Sequence, residues 1–420
     1  MKFKRDVLLT MVSVQLFLFT LLNGATAQNA AVSDTSAALS DRGGTPAAKK
    51  HWYETISLRG YAQVRYNRLL ETNEKLKCDQ CDKSWGEGGG FFLRRMRLIF
   101  SGNVHERVFI YIQPDFASSA SSTNLHFGQI RDAYFDLSLD RKKEFRLRIG
   151  QSKVPFGFEN MQSSQNRLPL DRNDALNSSL SNERDIGVFF YWAPDKIRQR
   201  FASLVNDGLK GSGDYGVFGI GVFNGQTANK PEGNDQAHIV ARLTYPFELN
   251  NGQIFEPGIQ AYSGKFVIPT ENRSKNVKAP TDFSFADERV AATFVLYPKP
   301  FGIQAEYNIG RGPEFNTVTD SIEVQSLKGG YITVSYMLKI KKQVLIPFIR
   351  SQYYDGGKKF ELDARSYIVN EYEYGIEWQP FKNFEFVAMY TMSDRRFEDM
   401  VQQDNKQKGN LLRLQAQFNF

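Results

Sequence analysis

One pattern recurs along most of this chain: about ten residues in which apolar and polar side chains alternate, closed by turn residues. The clearest copy is LLRLQAQFNF, Leu411 to Phe420. Leu412, Leu414, Ala416, Phe418 and Phe420 share one register, while Arg413, Gln415, Gln417 and Asn419 fill the other. A period of two puts those registers on opposite faces of a β-strand. About 16 such segments can be read between Thr55 and Phe420, so the last strand belongs to a long series.

The connections are sorted by parity. A link of about 23 residues follows the first segment, whereas Asn103-Val104-His105 follows the second. FASSASSTNLHFGQ then alternates with DRKK, and later PKP, KK and Phe381-Lys382 are tight. The stretches near 264–287, 311–328, 355–369 and 393–410 read as long links. A soluble sandwich has no reason to sort its loops in this way, but an outer-membrane barrel has tight turns at one rim and long loops at the other. In hydrocarbon every backbone polar group must be paired internally, and a closed sheet does so without an edge. Spans of about 9–11 tilted residues are long enough to cross. The expectation is an all-β fold, a transmembrane antiparallel β-barrel of about 16 strands over residues 55–420. Aromatics at strand ends, Tyr66, Trp192, Tyr245, Tyr297, Tyr354 and Trp378, are expected at headgroup depth. One link breaks the beat: Asp195 to Asp214 should be a tight turn, yet KIRQRFASLVNDGLK suits a short amphipathic helix.

If the apolar register meets lipid, the polar one turns inward. That places Arg59, Arg65, Arg95, Arg97, Arg107, Arg146 and Arg148 inside the first five strands, facing only Asp132 and Asp136. Arg242, Arg350 and Arg413 follow in later strands, with Asp185, Glu306, Glu373 and Glu377 as further inward acids. An arginine on the lipid face would cost about 2–4 kcal/mol at the midplane, which makes the inward assignment more than a preference. A cationic wall in a narrow mouth concentrates anions, so a moderate anion preference is expected. The longest link, about 33 residues from Gln151 to Glu183, carries Val154, Phe156, Phe158, Leu168 and Leu170 as apolar anchors. Such a link is expected to pack. Folded into the barrel, it brings Lys153, Arg167 and Arg172 to a constriction.

The N-terminus reads as a processing signal. MKFKR precedes the apolar VLLTMVSVQLFLFTLL, and Ala25-Thr26-Ala27 offers a cleavage site, so residues 1–27 are expected to be a signal peptide. Residues 28–54 are small and polar, a flexible periplasmic leader. Net charge is +7, of which the first six residues supply +2, and no Lys/Arg run suggests a nucleic-acid partner. Cys78 and Cys81 lie in the Gly-rich KCDQCDKSWGEGGG, with no second pair and no nearby histidine. A small local disulfide is favoured there over half a zinc site or a redox pair. His51, His105, His126 and His238 show no serine or aspartate arrangement for a triad. No catalytic residue, metal or cofactor is expected.

Gly150-Gln151-Ser152-Lys153-Val154-Pro155-Phe156-Gly157-Phe158-Glu159 resembles the strand-to-loop motif of the phosphate-selective porin O and P family. FFLRRMRLIFSG and IRDAYFD are similar to the early strands of that family. The resemblance implies a 16-stranded, trimeric porin with an inward-folded third long loop, in the outer membrane of a Gram-negative bacterium. It also implies that Phe420 resembles the C-terminal aromatic read by barrel-assembly machinery. The expected function is passive diffusion of small, preferably anionic solutes, phosphate or polyphosphate among them, through a water-filled pore. The competing readings are an adhesion or structural barrel acting through its long loops, and a barrel hydrolase.

Overall fold

The chain is described by a computed structural model at residues 51–72, 90–117 and 128–420. The expected signal peptide, most of the expected leader, Cys78, Cys81 and His126 lie outside the described residues. Alternating segments become strands in chain order. They begin β1 (Ser57–Thr72), β2 (Gly90–His105), β3 (Val108–Asp115), β4 (Gln129–Ser138), β5 (Phe145–Lys153) and β6 (Arg184–Trp192). Next come β7 (Phe218–Phe223), β8 (His238–Thr244), β9 (Phe247–Glu248), β10 (Ile254–Val267), β11 (Ser284–Leu296) and β12 (Phe301–Asn316). The series ends with β13 (Ser321–Tyr336), β14 (Leu338–Ile340), β15 (Gln343–Gly357), β16 (Ser366–Phe381), β17 (Phe384–Glu398) and β18 (Asn405–Asn419). The pieces β8 and β9 both pair with β10, and β13 and β14 both pair with β15. The segments therefore make a closed antiparallel barrel of 16 staves.

Closure runs through the last strand. β18 pairs with β1, with Val64 opposite Ala416 and Tyr61 opposite Asn419. Phe420 N–H donates to Gly60 O at 3.0 Å, and Gly60 N–H to Phe420 O at 2.8 Å. A Cβ on Gly60 would lie 2.6 Å from the Phe420 ring and 2.5 Å from Arg97 O, so only glycine fits at this seam.

The two registers separate as the alternation requires. Val290 and Phe294 on β11, Tyr307 and Ile309 on β12, and Ile332 and Val334 on β13 are exposed, while Ala291, Val295, Asn308 and Thr333 between them are buried. Rings gather near the outer rims: Phe145 stacks with Phe190 and Trp192, and Phe247 with Phe255. Tyr297 and Tyr354 depart from the expectation. Both are fully buried in the inner register, where their hydroxyls donate to Glu256 (2.5 Å) and Gly357 O (2.6 Å). A tyrosine at a strand end goes to whichever side its parity dictates, and these two have inward parity.

Two links differ from their sequence reading. The stretch 311–328 is not a long link: β12 and β13 run on to a four-residue turn, 317–320, and within 393–410 β17 and β18 leave only residues 399–404 between them. Their residues alternate well enough to extend the ladder past the lipid-facing band. The link after β6 does form a helix, Asp195–Asn206. Ile197, Phe201 and Leu204 on one face are buried against Ile254, Val295, Ile346 and Val387 of the inner wall. Phe158, Leu168 and Leu170 of the longest link join the same cluster. The inner register is thus apolar where it meets this cluster, which a uniform polar-inward reading misses.

Candidate functional site

The site is assembled around the link between β5 and β6. Residues 154–183 are buried almost throughout, and their polar groups bond to inner-register side chains of distant strands. Tyr61 of β1 meets Ser164 at 2.7 Å, and Arg65 holds Asp171 at 3.1 Å. Arg413 of β18 grips the same Asp171. Arg350 of β15 pairs with Glu159 at 2.9 Å, and Arg395 of β17 with Asp174 at 2.8 Å. Arg289 of β11 donates to Ser178 at 2.6 Å, and Glu306 of β12 accepts from Phe158 N–H at 2.8 Å. Within the link, Asn173 caps the short helix Asp174–Ser179 by accepting from Leu176 N–H at 3.1 Å.

The arginines expected inside fall into three groups. Arg65, Arg350 and Arg413 are clamps between wall and link, each at most 1% exposed. Arg242 is equally enclosed, bonded to Glu256 at 3.2 Å and Gly216 O at 3.1 Å. These four do not front open solvent, because the link and helix cover them. Arg107 is a second departure: it sits in the exposed turn between β2 and β3, outside the ladder. The third group stays on the β1–β6 wall. Arg97 pairs with Asp115 at 2.7 Å, Arg148 chelates Asp136 at 2.7 and 2.9 Å, and Arg146 meets Asp214 at 2.7 Å. Asp132 is taken by Arg184 at 3.0 Å. Arg95 bonds Gln63 at 2.8 Å and pairs with no carboxylate among the described residues.

Glu183 forms the hub beside this wall. It faces Arg167 at 2.9 Å, Arg172 at 3.3 Å, Lys153 at 3.5 Å, and Arg184. Lys153 also donates to the carbonyls of Asn160 (2.9 Å) and Met161 (3.3 Å). Lys153, Arg167 and Arg172 therefore converge, as the sequence reading grouped them, but on a carboxylate it had not singled out. Asp115, Glu159, Asp171, Asp174 and Glu183 were all missed as partners. A signal existed: an arginine excess on five strands demands counter-charge, and the long link carries Glu159, Asp171, Asp174 and Glu183.

Between this wall and the helix Asp195–Asn206 lies a cavity of about 560 Å³. Seven cations line it (Arg59, Lys143, Arg146, Arg148, Lys153, Arg184 and Arg198) against three carboxylates, Asp132, Asp136 and Asp214. Arg198, Ala202 and Val205 come from the helix face adjoining its buried one, each one residue after a buried position.

The link carboxylates set the acid response. Burial pushes the Asp174 carboxyl up, but Arg395 and Lys358 outweigh it and bring it down to about 2 from 3.8. Burial likewise opposes ionisation of Asp171, while Arg65, Arg413 and Arg94 hold it well below the carboxylate range. A depressed carboxylate contributes stability that is complete above its unfolded value and lost as pH falls through its folded one. The link should therefore stay anchored from neutral pH to about 4 and loosen between about 4 and 2. Protease nicking within 154–183, followed against pH with an acid-active protease, checks this. Nicking that begins near pH 6 would contradict it.

A model of the phosphate-selective porin O and P family matches residues 76–420. No curated protein matches the chain. The fold is similar to the outer-membrane channel DcaP of Acinetobacter baumannii, at 15% identity and a TM-score of 0.52, covering 87% of this chain and 97% of that one. Salmonella typhi OmpF, solved with daunomycin, is similar at 13% identity and a TM-score of 0.52, with coverage of 87% and 97%. Vibrio cholerae OmpT, folded in vitro in its trimer form, matches at 11% identity and a TM-score of 0.50, covering 87% and 99%. At such identities the likeness establishes a shared barrel.

Proposed function

Because the chain belongs to the phosphate-selective porin O and P family, an outer-membrane channel barrel, we propose that it passes small solutes passively and prefers anions. The observation that carries this reading is the charge imbalance of the cavity, seven cations to three carboxylates. Arg59 matters most, since it lines the cavity and no carboxylate among the described residues pairs with it; Arg95, also without a carboxylate among them, is buried against Gln63. The clamped arginines contribute little, because Asp171, Glu159 and Glu373 neutralise them in place. The contacts of residues 154–183 with β1, β11, β12, β15, β17 and β18 support an inward-folded loop that narrows the passage toward the β1–β6 wall. Lys153, Arg167 and Arg172 then stand at the constriction around Glu183, and Arg59, Arg146 and Arg148 line the approach. Weak contacts let anions enter and also leave.

The signal peptide of residues 1–27, a disulfide between Cys78 and Cys81, reading of Phe420 by assembly machinery and a homotrimer belong to the same proposal. Phosphate and polyphosphate fit the charge, as do other small anions.

Reversal potential in a salt gradient tests the proposal. The wild-type channel should prefer chloride over potassium. A unit charge about 4 Å from a permeant ion in water contributes about 1 kcal/mol, roughly fivefold in local concentration. Arg59→Ala should therefore lower the permeability ratio about fivefold without exposing a partner carboxylate. A cation-preferring wild type sinks the anion reading, and the absence of stepwise conductance favours an adhesion or structural barrel.

A further inference from the structure

The inner wall of β3 to β7 carries rings as well as charge. Tyr111 and Tyr134 lie opposite each other on β3 and β4, with ring centroids 5.1 Å apart and planes within 11°. The Arg148 guanidinium covers Tyr134 at 4.1 Å and stands 5.4 Å from the ring of Tyr215. Tyr111, Tyr134 and Tyr215 all line the 560 Å³ cavity and are only half-buried. The hydroxyls of Tyr134 and Tyr215 meet no protein partner among the described residues, and that of Tyr191, fully buried beside Tyr215, is also unpartnered. Structural tyrosines in a folded interior bond their hydroxyls. Here one buried hydroxyl, that of Tyr191, does not, and Tyr134 and Tyr215 beside it turn theirs to an open space of ligand size.

We propose that this cavity is a binding site for a ring-bearing carboxylate, an aromatic or cyclic acid that stacks on the Tyr111 ring, backed by Tyr134, while its charge meets Arg59. Ring faces reward flat or cyclic solutes and offer little to a small inorganic anion. The cationic surplus selects the negative group, and Arg59 is the lining arginine with no carboxylate of its own among the described residues. Arg148, chelated by Asp136, is a fixed stacking surface rather than a charge trap. A site of this kind turns the passage from a plain sieve into one with residence, so that the bound acid transiently blocks smaller ions. The inference rests on the channel reading for access but not for binding.

Two measurements keep the site and the channel apart. In a planar bilayer, benzoate should block chloride current at a concentration at least about tenfold lower than acetate or inorganic phosphate does. Tyr134→Leu and Tyr111→Leu, made separately, should each weaken that block about fivefold, the size of a lost aromatic pair. Equal block by acetate or phosphate overturns the proposal, as does benzoate block untouched by both substitutions. Benzoate titrated by calorimetry into the detergent-solubilised full chain gives the second readout. Binding there without conductance supports the site and removes the channel; conductance with no benzoate heat at millimolar concentration removes the site alone.

Discussion

Asp171→Asn should release the long link from two walls at once. The Asp171 carboxylate sits between Arg65 at 3.1 Å, Arg94 at 3.7 Å, and Arg413. Arg65 and Arg413 lie where water cannot rescue an unpaired charge, Arg94 is part-exposed, and Asp171 itself is 6% exposed in its side chain. A neutral amide of the same shape keeps the packing but leaves guanidiniums facing one another. Breaking a buried pair by removing one partner costs about 3–5 kcal/mol, more than the pair contributes over an apolar replacement, because the surviving charges stay desolvated. Glu373 still holds Arg413 at 3.0 Å, which favours the low end of that range. In reconstituted protein the variant should show flickering, larger conductance steps, and urea unfolding in detergent should move to lower concentration. A steady wild-type step together with an unchanged midpoint would falsify the clamp.

The second large effect belongs to Phe201→Ala. Phe201 is 1% exposed and packs with Ile197 and Leu204 into the inner apolar cluster. Truncating a buried phenylalanine costs about 3–5 kcal/mol through lost burial and the cavity it leaves. The helix Asp195–Asn206 is otherwise tethered at Arg198, which meets Asp214 at 2.9 Å, at Arg200, which meets Glu248 at 2.5 Å and Pro246 O at 2.7 Å, and just beyond its end at Lys210, whose ammonium meets Glu377 at 2.5 Å. Loss of the apolar anchor should free the helix from the barrel end and raise single-channel conductance while lowering the melting temperature. Ala202→Ser on the exposed face of the same helix is the control, since surface substitutions stay within about 0.5 kcal/mol. If the two variants melt alike, the helix does not depend on that cluster.

The legibility of this molecule divides along the same line as its chemistry. Period-two alternation made the strands readable one by one, because lipid and water impose opposite demands on adjacent residues. The tight turns and long links followed from the same pattern, apart from 311–328 and 393–410, where alternation continued into what looked like loop. The helix after β6 was legible as amphipathic, but not where its apolar face would go. Nothing local in Val295, Ile346 or Val387 distinguishes an inner residue that meets a packed segment from an outer one that meets lipid. Tyr297 and Tyr354 were misplaced for a related reason: position near a strand end was read, and parity was not.

The residues alone determined that a sheet must close, which register is apolar, and that Lys153, Arg167 and Arg172 travel together on one long link. Those are properties of neighbours in sequence, and solvent partition enforces them segment by segment. Pairing across the barrel was settled only in three dimensions. Arg413 finds Asp171 and Arg350 finds Glu159 because chain far apart in order is brought within a few ångströms. Whether a given arginine is spent on such a clamp or left to face ions depends on that proximity, since Coulomb attraction falls with distance in space and is blind to distance along the chain.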